Sequence, residues 1–254
     1  MPTKKRALIT GASSGIGRCY AIHLAKHGYD IVAVARRDDL LATLADEVRQ
    51  FGAQTTAIEA DLADNVGVAK VISIAHDIDH LVLNAGVTHA ARVGASSGDE
   101  ITRLNTLLAT GVVQVCEAVV PRMLANKRGN VVIVSSIAAF TPMPKSAVYA
   151  AAKTYVMSYG RSLNLELAGS GVRVCVVCPG YVRTELHTNA GLEHLRQRVP
   201  KFLWIEPIEV VKTAERGLAG NKSVVVPGLI YRISRPLLGS GLAQKIWRRT
   251  TRRK

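Results

Sequence analysis

Short apolar runs alternate with longer segments of helical periodicity along nearly the whole chain. Runs such as RALIT, DIVAVA and NVVIVSS are rich in β-branched residues and alternate little between apolar and polar positions. Such strands are typical of a parallel sheet that crossover helices cover on both faces. The pattern predicts a doubly wound α/β fold, with function located just beyond the carboxyl ends of the strands. The predicted strands are 6–10, 30–35, 54–60, 80–86, 130–136, 172–180 and 223–228, and the predicted helices are 15–27, 38–51, 62–75, 99–125, 148–168 and helices within 189–220.

Length and composition indicate one domain with a basic tail. The chain has 254 residues, 48% of them hydrophobic, which is enough for one sizeable core. The first apolar run ends at Gly11, too early for a signal peptide, and no later stretch approaches the roughly 20 apolar residues that span a bilayer. We therefore expect a soluble, cytoplasmic domain over residues 1–230 and a separate tail over residues 231–254.

The cysteines do not suggest a metal site. The closest pair, Cys175 and Cys178, lies in an apolar β-like run, where positions i and i+3 point to opposite faces. No second CxxC accompanies it. We expect no bound metal, and we interpret the four thiols as core residues in a reducing compartment.

A glycine-rich loop follows the first predicted strand. TGASSGIG, Thr10 to Gly17, has glycines at positions 11, 15 and 17. Glycine permits a tight turn and lets backbone N–H groups approach a pyrophosphate at the positive N-terminus of the next helix. An ordinary turn is the alternative, but the first junction of a βαβ series favours the dinucleotide-binding loop of a Rossmann-type fold.

The second strand ends in AVARRDD, where an enzyme specific for NAD would place a carboxylate on the ribose 2′-hydroxyl. Counting from the glycine loop puts Ala35 at that position, followed by Arg36 and Arg37. Planar guanidinium donors match the oxygens of a 2′-phosphate. Two solvated arginines are the alternative, although positive charge at a helix start opposes the helix dipole. We predict NADP(H) rather than NAD(H), held mainly by Arg36 with Arg37 assisting.

The segment VYAAAKTY places a phenol and an ammonium on one helix face. Tyr149 and Lys153 are four residues apart, and no other tyrosine of the chain has a lysine at that spacing. A fixed cation near a phenol favours the ionised form, which lowers a pKa that is ordinarily about 10. The pair therefore suggests an acid/base catalyst, with an ordinary surface contact as the alternative.

Two serines end the fifth predicted strand at the same edge of the sheet. Ser136 lies thirteen residues before Tyr149, and Ser135 precedes it. A serine hydroxyl can donate to a substrate carbonyl and orient a phenol, although such serines also serve as helix caps. The combination of serine, tyrosine and lysine beside a nucleotide loop favours a catalytic site.

With these motifs, residues 6 to about 227 resemble the short-chain dehydrogenase/reductase family. The glycine loop matches its TGxxxGxG motif and YAAAK its YxxxK motif, while DL at Asp61 matches the pair that contacts adenine. NAG from Asn84 matches the segment closing the fourth strand, and PGYVRT from Pro179 resembles the loop that holds the nicotinamide. The candidate cofactor-binding residues are Gly11, Ser13, Ser14, Gly15, Ile16, Gly17, Arg36, Arg37, Asp61, Leu62, Asn84, Ala85, Gly86, Tyr149, Lys153, Pro179, Gly180, Val182 and Thr184.

The resemblance implies a role for each catalytic candidate. Tyr149 would be the general acid/base, Lys153 would lower its pKa and hold the nicotinamide ribose, and Ser136 would polarise the substrate carbonyl. The spacing of thirteen residues favours Ser136 over Ser135. The implied reaction is reversible hydride transfer between NADP(H) and a carbonyl/alcohol pair. Family members commonly form homodimers or homotetramers through their long helices.

One position departs from the family pattern. Many members have an asparagine on the long fourth helix that supports a proton-relay water, and ungapped counting puts Leu108 there. Asn105 lies about one turn earlier and is the candidate substitute if the preceding loop is shorter. A polar helix position without a catalytic role is the alternative.

The carboxyl end is strongly basic. Eight of the net fourteen positive charges follow Tyr231, with no acidic residue among them. Leu242, Ile246 and Trp247 lie between these charges in a predicted amphipathic helix, which suggests an anionic membrane surface or a lipid-like substrate near the site mouth. A solvated tail is the alternative. The flap expected over the site, residues 185–205, contains Leu192, Leu195, Phe202, Leu203 and Trp204.

Two other functions compete with an NADP(H)-dependent oxidoreductase. A non-catalytic cofactor-binding or regulatory protein with the same fold is weakly favoured by Leu108, whereas Ser136, Tyr149 and Lys153 argue against it. Nucleic-acid binding has only the net charge of +14 behind it, since no recognition motif is present, and we expect no specific nucleic-acid partner.

Overall fold

The computed structural model describes residues 4–184, 199–241 and 245. Apolar β-branched runs form its strands, which are buried along most of their length. The strands are β1 (Arg6–Thr10), β2 (Asp30–Ala35), β3 (Thr55–Glu59), β4 (His80–Leu83), β5 (Gly129–Val134), β6 (Val172–Val177), β7 (Tyr181–Val182), β8 (Trp204–Ile205) and β9 (Val224–Val225).

Helices connect these strands and cover the sheet. Where the chain is described, the α-helices are α1 (Gly15–Lys26), α2 (Asp38–Arg49), α3 (Asn65–Ile72), α4 (Gly98–Asn105), α5 (Gly111–Ala125), α6 (Ala147–Glu166), α7 (Pro207–Ala219) and α8 (Leu229–Leu238). A π-helical turn, Thr106–Thr110, joins α4 to α5, and 3₁₀ turns cover Ile137–Phe140 and Lys201–Leu203.

Within the described residues the main sheet has seven parallel strands in the order β3-β2-β1-β4-β5-β6-β9. Strand β1 lies between β2 and β4, with Leu8 opposite Val32 on one side and Leu81 on the other. The strand order reverses at this point, which is where open α/β sheets form a ligand crevice. The predicted doubly wound, Rossmann-type fold is confirmed.

The long fourth helix is interrupted rather than uniform. The segment predicted as 99–125 runs from Gly98 to Ala125, with the π-helical turn in its middle. By length and composition this helix could cross a membrane, but 44% of its most apolar window is buried in the fold. Leu108 and Val115 are among the side chains of this helix that are buried in the core.

The predicted boundary after residue 230 falls inside helix α8. Tyr231 of this helix is 9% exposed, and its hydroxyl accepts from the Tyr181 N–H at 3.1 Å and donates to the Leu203 carbonyl at 2.7 Å. The start of the basic tail is thus docked on the domain. Of the apolar residues named for the tail and the flap, Leu242, Ile246, Trp247, Leu192 and Leu195 lie outside the described residues.

Candidate active site

The glycine loop between β1 and α1 leaves no room for side chains at two of its positions. Gly11 has a φ of +68°, and a Cβ there would come within 2.9 Å of the Ala85 Cα. A Cβ on Gly17 would lie 2.2 Å from the Gly11 carbonyl oxygen. Glycine is therefore required at both positions, and the loop keeps its backbone open to a ligand.

Among the described residues no side chain caps the backbone N–H groups at the N-terminus of α1, so these groups can bind an anion. Ser14 is the N-cap but makes no side-chain cap hydrogen bond, and the first turn contains no acidic residue. The first amides of a helix point toward a ligand and carry the positive end of its dipole. This arrangement fits a pyrophosphate, as the sequence of the loop predicts.

A clamp between β1 and β4 fixes this loop. The Thr10 hydroxyl accepts from the backbone N–H groups of Asn84 at 2.9 Å and Ala85 at 3.0 Å. The Asn84 amide donates to the carbonyls of Thr10 at 3.0 Å and Gly11 at 3.3 Å. The Asn84 side chain thus holds the start of the glycine loop in place. Thr10 did not emerge from the sequence as a site residue, and its position at the end of a buried strand was the available signal.

The cofactor-specificity candidates lie beside the same loop. One Arg37 nitrogen, Nη2, donates to the hydroxyls of Ser14 at 3.0 Å and Ser13 at 3.3 Å. Arg36, the preceding residue, is exposed. Both side chains therefore start from the end of β2, where the 2′-position of a bound dinucleotide would lie.

Asp61 is held by a residue that the sequence did not single out. One carboxylate oxygen accepts from the Ala63 N–H at 3.0 Å, and the other accepts from the Arg103 guanidinium at 2.7 Å. Arg103 belongs to α4, forty-two residues away along the chain. The ion pair links the predicted adenine contact to the long helix, and no local sequence pattern indicates it.

The two serines after β5 have different roles. The Ser135 hydroxyl is buried and donates to the Lys153 carbonyl at 2.7 Å, so it ties β5 to helix α6. The Ser136 hydroxyl accepts from the Ala138 N–H at 3.1 Å, and its proximity to the Tyr149 phenol acts to lower the pKa of that group. Ser136 therefore lies near the phenol, whereas Ser135 links β5 to α6.

Lys153 is a buried cation beside the phenol ring. Its side chain is 6% exposed, Nζ donates to the Val134 carbonyl at 3.0 Å, and Nζ lies 5.9 Å from the centre of the Tyr149 ring. Burial lowers the pKa of Lys153 to about 8. An ammonium has three N–H donors, so the Val134 carbonyl engages only one of them.

The pKa of Tyr149 differs from the expectation. Burial raises this pKa, while the nearby Ser136 hydroxyl acts to lower it. The expected lowering by Lys153 is not among these effects, since desolvation by the surrounding protein dominates. In the protein alone, Tyr149 is therefore held in its protonated form at neutral pH.

Leu108 occupies the position where the family pattern would place a relay asparagine. It is fully buried, and its Cδ2 would lie 3.2 Å from a Cβ on Gly86. The same Cβ would lie 3.7 Å from Lys153 Nζ, so an apolar side chain lines this side of the lysine. Asn105 ends α4 just before the π-helical turn, and its carbonyl accepts from the Thr110 hydroxyl at 3.4 Å. Its role as a relay residue stays a prediction.

The segment from Pro179 to Thr184 closes the site from the other side. Pro179 accepts from the Ile137 N–H at 2.8 Å, next to Ser136. Gly180 faces the Tyr231 ring, where a Cβ would approach within 2.1 Å. A Cβ on Gly15 would lie 2.9 Å from the Thr184 methyl group, so this segment reaches the glycine loop.

Two cavities have a volume of about 620 Å³ each, and neither is lined by Ser136, Tyr149 or Lys153. One lies between α1 and α7, around His23 and Glu215. The other borders the candidate site, between the 3₁₀ turn after Ser136 and helix α6. Within the described part of the chain, no group of three or more His, Cys, Asp or Glu side chains could hold a metal ion.

Comparison with known families agrees with this arrangement. A family model described as short chain dehydrogenase matches residues 5–194, well over half of the chain. The chain belongs to the short-chain dehydrogenase/reductase family. Curated relatives include oxidoreductase UcpA of Escherichia coli K12, 34% identical over 89% of this chain and 91% of that protein. A second is a 3-oxoacyl-[acyl-carrier-protein] reductase of Synechocystis, 32% identical over 83% of this chain and 87% of that protein.

Solved structures of the family show the same fold. A short-chain dehydrogenase from Sphingobium yanoikuyae in complex with NADPH is 32% identical, with a TM-score of 0.83 over 98% of this chain and 97% of that one. The bulky-bulky ketone specific alcohol dehydrogenase from Comamonas testosteroni is 28% identical, with a TM-score of 0.78 over 98% and 95% of the two chains. The chain is thus an oxidoreductase-family member over nearly its whole length.

Proposed function

We propose that the protein is an NADP(H)-dependent oxidoreductase that interconverts a carbonyl compound and a secondary alcohol. The observation that carries the proposal is the grouping of Ser136, Tyr149 and Lys153 at the carboxyl edge of the sheet, beside the glycine loop. The proximity of Ser136 to Tyr149, which acts on the pKa of the phenol, supports a shared role, since both hydroxyls can point at one substrate oxygen.

The residues present fit a dinucleotide. The glycine loop has no space for a Cβ at Gly11 or Gly17, and the uncapped start of α1 offers backbone donors for a pyrophosphate. Lys153 has N–H donors beyond the one that Val134 accepts, and these suit ribose hydroxyls. When bound, the nicotinamide supplies or accepts the hydride.

The chain itself manages the proton. In the reductive direction the Tyr149 hydroxyl donates to the substrate oxygen, because the raised pKa keeps this phenol protonated. Ser136 donates a second hydrogen bond to the same oxygen and stabilises the negative charge that develops there. The Lys153 ammonium stabilises the phenolate left behind, and its low exposure strengthens that interaction.

Reduction of a ketone or oxoacyl group is the proposed direction. The 3-oxoacyl-[acyl-carrier-protein] reductase and the bulky-bulky ketone specific dehydrogenase are relatives whose names describe such carbonyl substrates. NADPH is the usual reductant in cells, and the NADPH complex of the Sphingobium relative supports that cofactor. Arg37, already in contact with Ser13 and Ser14, supports recognition of a 2′-phosphate.

We also propose a cytoplasmic homodimer or homotetramer. The described cysteines are free and three of them are buried, which suits a reducing compartment. Helices α5 and α6 expose Leu124, Tyr155 and Leu165, with Leu165 76% exposed. Such apolar side chains on long helices suit an interface between copies.

The test is NADPH oxidation across a panel of ketones, oxoacyl thioesters and aldehydes, with the reverse reaction measured on secondary alcohols. Turnover that depends on a carbonyl substrate is the expected result. A protein that binds NADPH but turns over no member of the panel in either direction would instead be the non-catalytic, cofactor-binding alternative. The Lys153→Ala variant should lose both turnover and part of its cofactor affinity.

A further inference from the structure

The outer face of helix α8 is apolar and exposed. Four large side chains of this helix are 44% to 67% exposed, namely Leu229, Ile230, Ile233 and Leu237. At about 100° per residue these positions fall within roughly 100° of arc, so they form one continuous stripe. We call these four residues the α8 stripe. Tyr231, about 100° beyond the edge of the stripe, faces the domain and is buried.

The stripe belongs to a firmly docked helix. The Tyr231 hydroxyl bridges the Tyr181 N–H and the Leu203 carbonyl, and the Tyr231 ring packs on Gly180. Arg235 lies 4.8 Å from the centre of the Phe140 ring, in the 3₁₀ turn that follows Ser136. The stripe is therefore held in a fixed orientation at the same end of the sheet as the active site.

A basic residue borders the stripe, and the sequence that follows is basic. Arg232 is exposed about 60° from one edge of the stripe, and from Tyr231 onward the chain has eight basic residues and no acidic one. An exposed apolar stripe bordered by an arginine and followed by a basic sequence has the composition of a surface that lies in the interface of an anionic bilayer. The basic charge is a feature of the sequence, whereas the exposure of the stripe is a feature of the structure. The two observations are therefore independent.

A second copy of the chain is a poorer occupant. Stable protein interfaces use about 20 to 30 residues a side, whereas the stripe has four on one short helix. A two-fold interface on this face would also bring two strongly basic segments together, which costs free energy because like charges repel.

We propose that the α8 stripe is a docking face for anionic lipid bilayers. The α8 stripe enters the acyl boundary, while Arg232 contacts the headgroups and the basic sequence that follows adds attraction to the anionic surface. Docking in this way brings the mouth of the active site near the bilayer surface, where apolar substrates dissolve. The docking itself does not depend on the proposed reductase function.

The test is co-sedimentation of the full chain with vesicles of phosphatidylcholine and phosphatidylserine, and with phosphatidylcholine alone. We compare wild type with the double variant Ile233→Ser/Leu237→Ser. The matched control is Val66→Ser/Val93→Ser, at positions that are 80% and 102% exposed elsewhere on the surface. All the side chains changed are exposed, so we expect each variant to fold, which circular dichroism and NADPH titration check.

The expected result is salt-sensitive binding of wild type to the anionic vesicles alone, weakened at least about tenfold in the stripe variant and unchanged in the control. Arg232→Gln should weaken it about fivefold. Wild type that ignores anionic vesicles, or that binds neutral ones equally well, overturns the proposal. So does a stripe variant that binds like wild type, since basic charge alone would then explain binding. If wild type does not bind vesicles and the stripe variant has a lower oligomeric mass than wild type in sedimentation equilibrium, the proposal is wrong and the stripe contacts a second copy of the chain.

Discussion

Alanine substitutions at Arg36 and Arg37 should separate the two nicotinamide cofactors. Arg37 already donates to the hydroxyls of Ser13 and Ser14, so it must exchange those bonds for bonds to a 2′-phosphate. Each of those bonds has one charged partner, whereas a bond to the phosphate joins two ions and lies toward the upper end of about 1.5–3 kcal/mol, which leaves a net gain of roughly 1–1.5 kcal/mol. Arg37→Ala should therefore weaken NADPH binding about five- to tenfold.

Arg36 has no recorded hydrogen bond within the described residues that a bond to the phosphate would replace. Among the described residues the structure records no hydrogen bond or ion pair for its side chain, which is exposed. The full contribution of about 1.5–3 kcal/mol then remains, so Arg36→Ala should weaken NADPH binding about ten- to a hundredfold. NADH lacks the phosphate, and its affinity should stay unchanged in both variants.

The assay is fluorescence titration of wild type and both variants with NADPH and NADH at one ionic strength. Arg49→Ala is the matched control, because Arg49 is an exposed arginine at the far end of the same helix, α2. Equal affinities for the two cofactors in wild type would refute the reasoning. Variants that lose NADH as strongly as NADPH would also refute it, since the effect would then lie in the loop rather than in phosphate recognition.

Three further predictions test the stability and chemistry of the site. The pKa of Lys153 is lowered from 10.5 to about 8 in the folded protein, so between these pH values the unfolded chain binds more protons than the folded chain. The free energy of unfolding of wild type, measured by urea denaturation, should therefore rise by about 1–3 kcal/mol relative to that of Lys153→Met as the pH rises through this window. A Gly17→Ala Cβ would lie 2.2 Å from the Gly11 carbonyl, so this variant should lose NADPH binding in titration, whereas Gly98→Ala, which meets open space, should bind normally. If Asn105 takes the relay role that the sequence predicts for it, Asn105→Ala should lower kcat about a hundredfold, and a kcat within about twofold of wild type would exclude that role.

Local sequence patterns predicted much of the fold and the central part of the candidate site. The apolar runs place the strands, since burial on both faces leaves a strong signal in each. The glycine loop and the spacing of Tyr149 and Lys153 are likewise local features. Their meeting at one edge of the sheet follows from parallel topology, because the carboxyl ends of all the strands lie there.

Contacts between distant segments could not be predicted in this way. The ion pair of Arg103 with Asp61 and the hydrogen bond from the Asn84 N–H to the Thr10 hydroxyl join residues 42 and 74 positions apart, so both depend on tertiary packing. The raised pKa of Tyr149 also depends on how far the surrounding protein excludes water from the phenol. The spacing to Lys153 alone predicted a lowered pKa. The stripe on α8 became visible only once Tyr231 was seen to face the domain.

Single-turnover hydride transfer in the Tyr149→Phe variant tests the central claim most directly. The change removes one hydroxyl and keeps the ring, so NADPH affinity should stay within about twofold while hydride transfer to the carbonyl substrate falls by at least about a hundredfold. Tyr155→Phe is the matched control, because Tyr155 lies on the same helix and is 50% exposed. It should transfer hydride at the wild-type rate. A Tyr149→Phe variant that keeps most of the wild-type rate would contradict the assignment of this phenol as the acid/base.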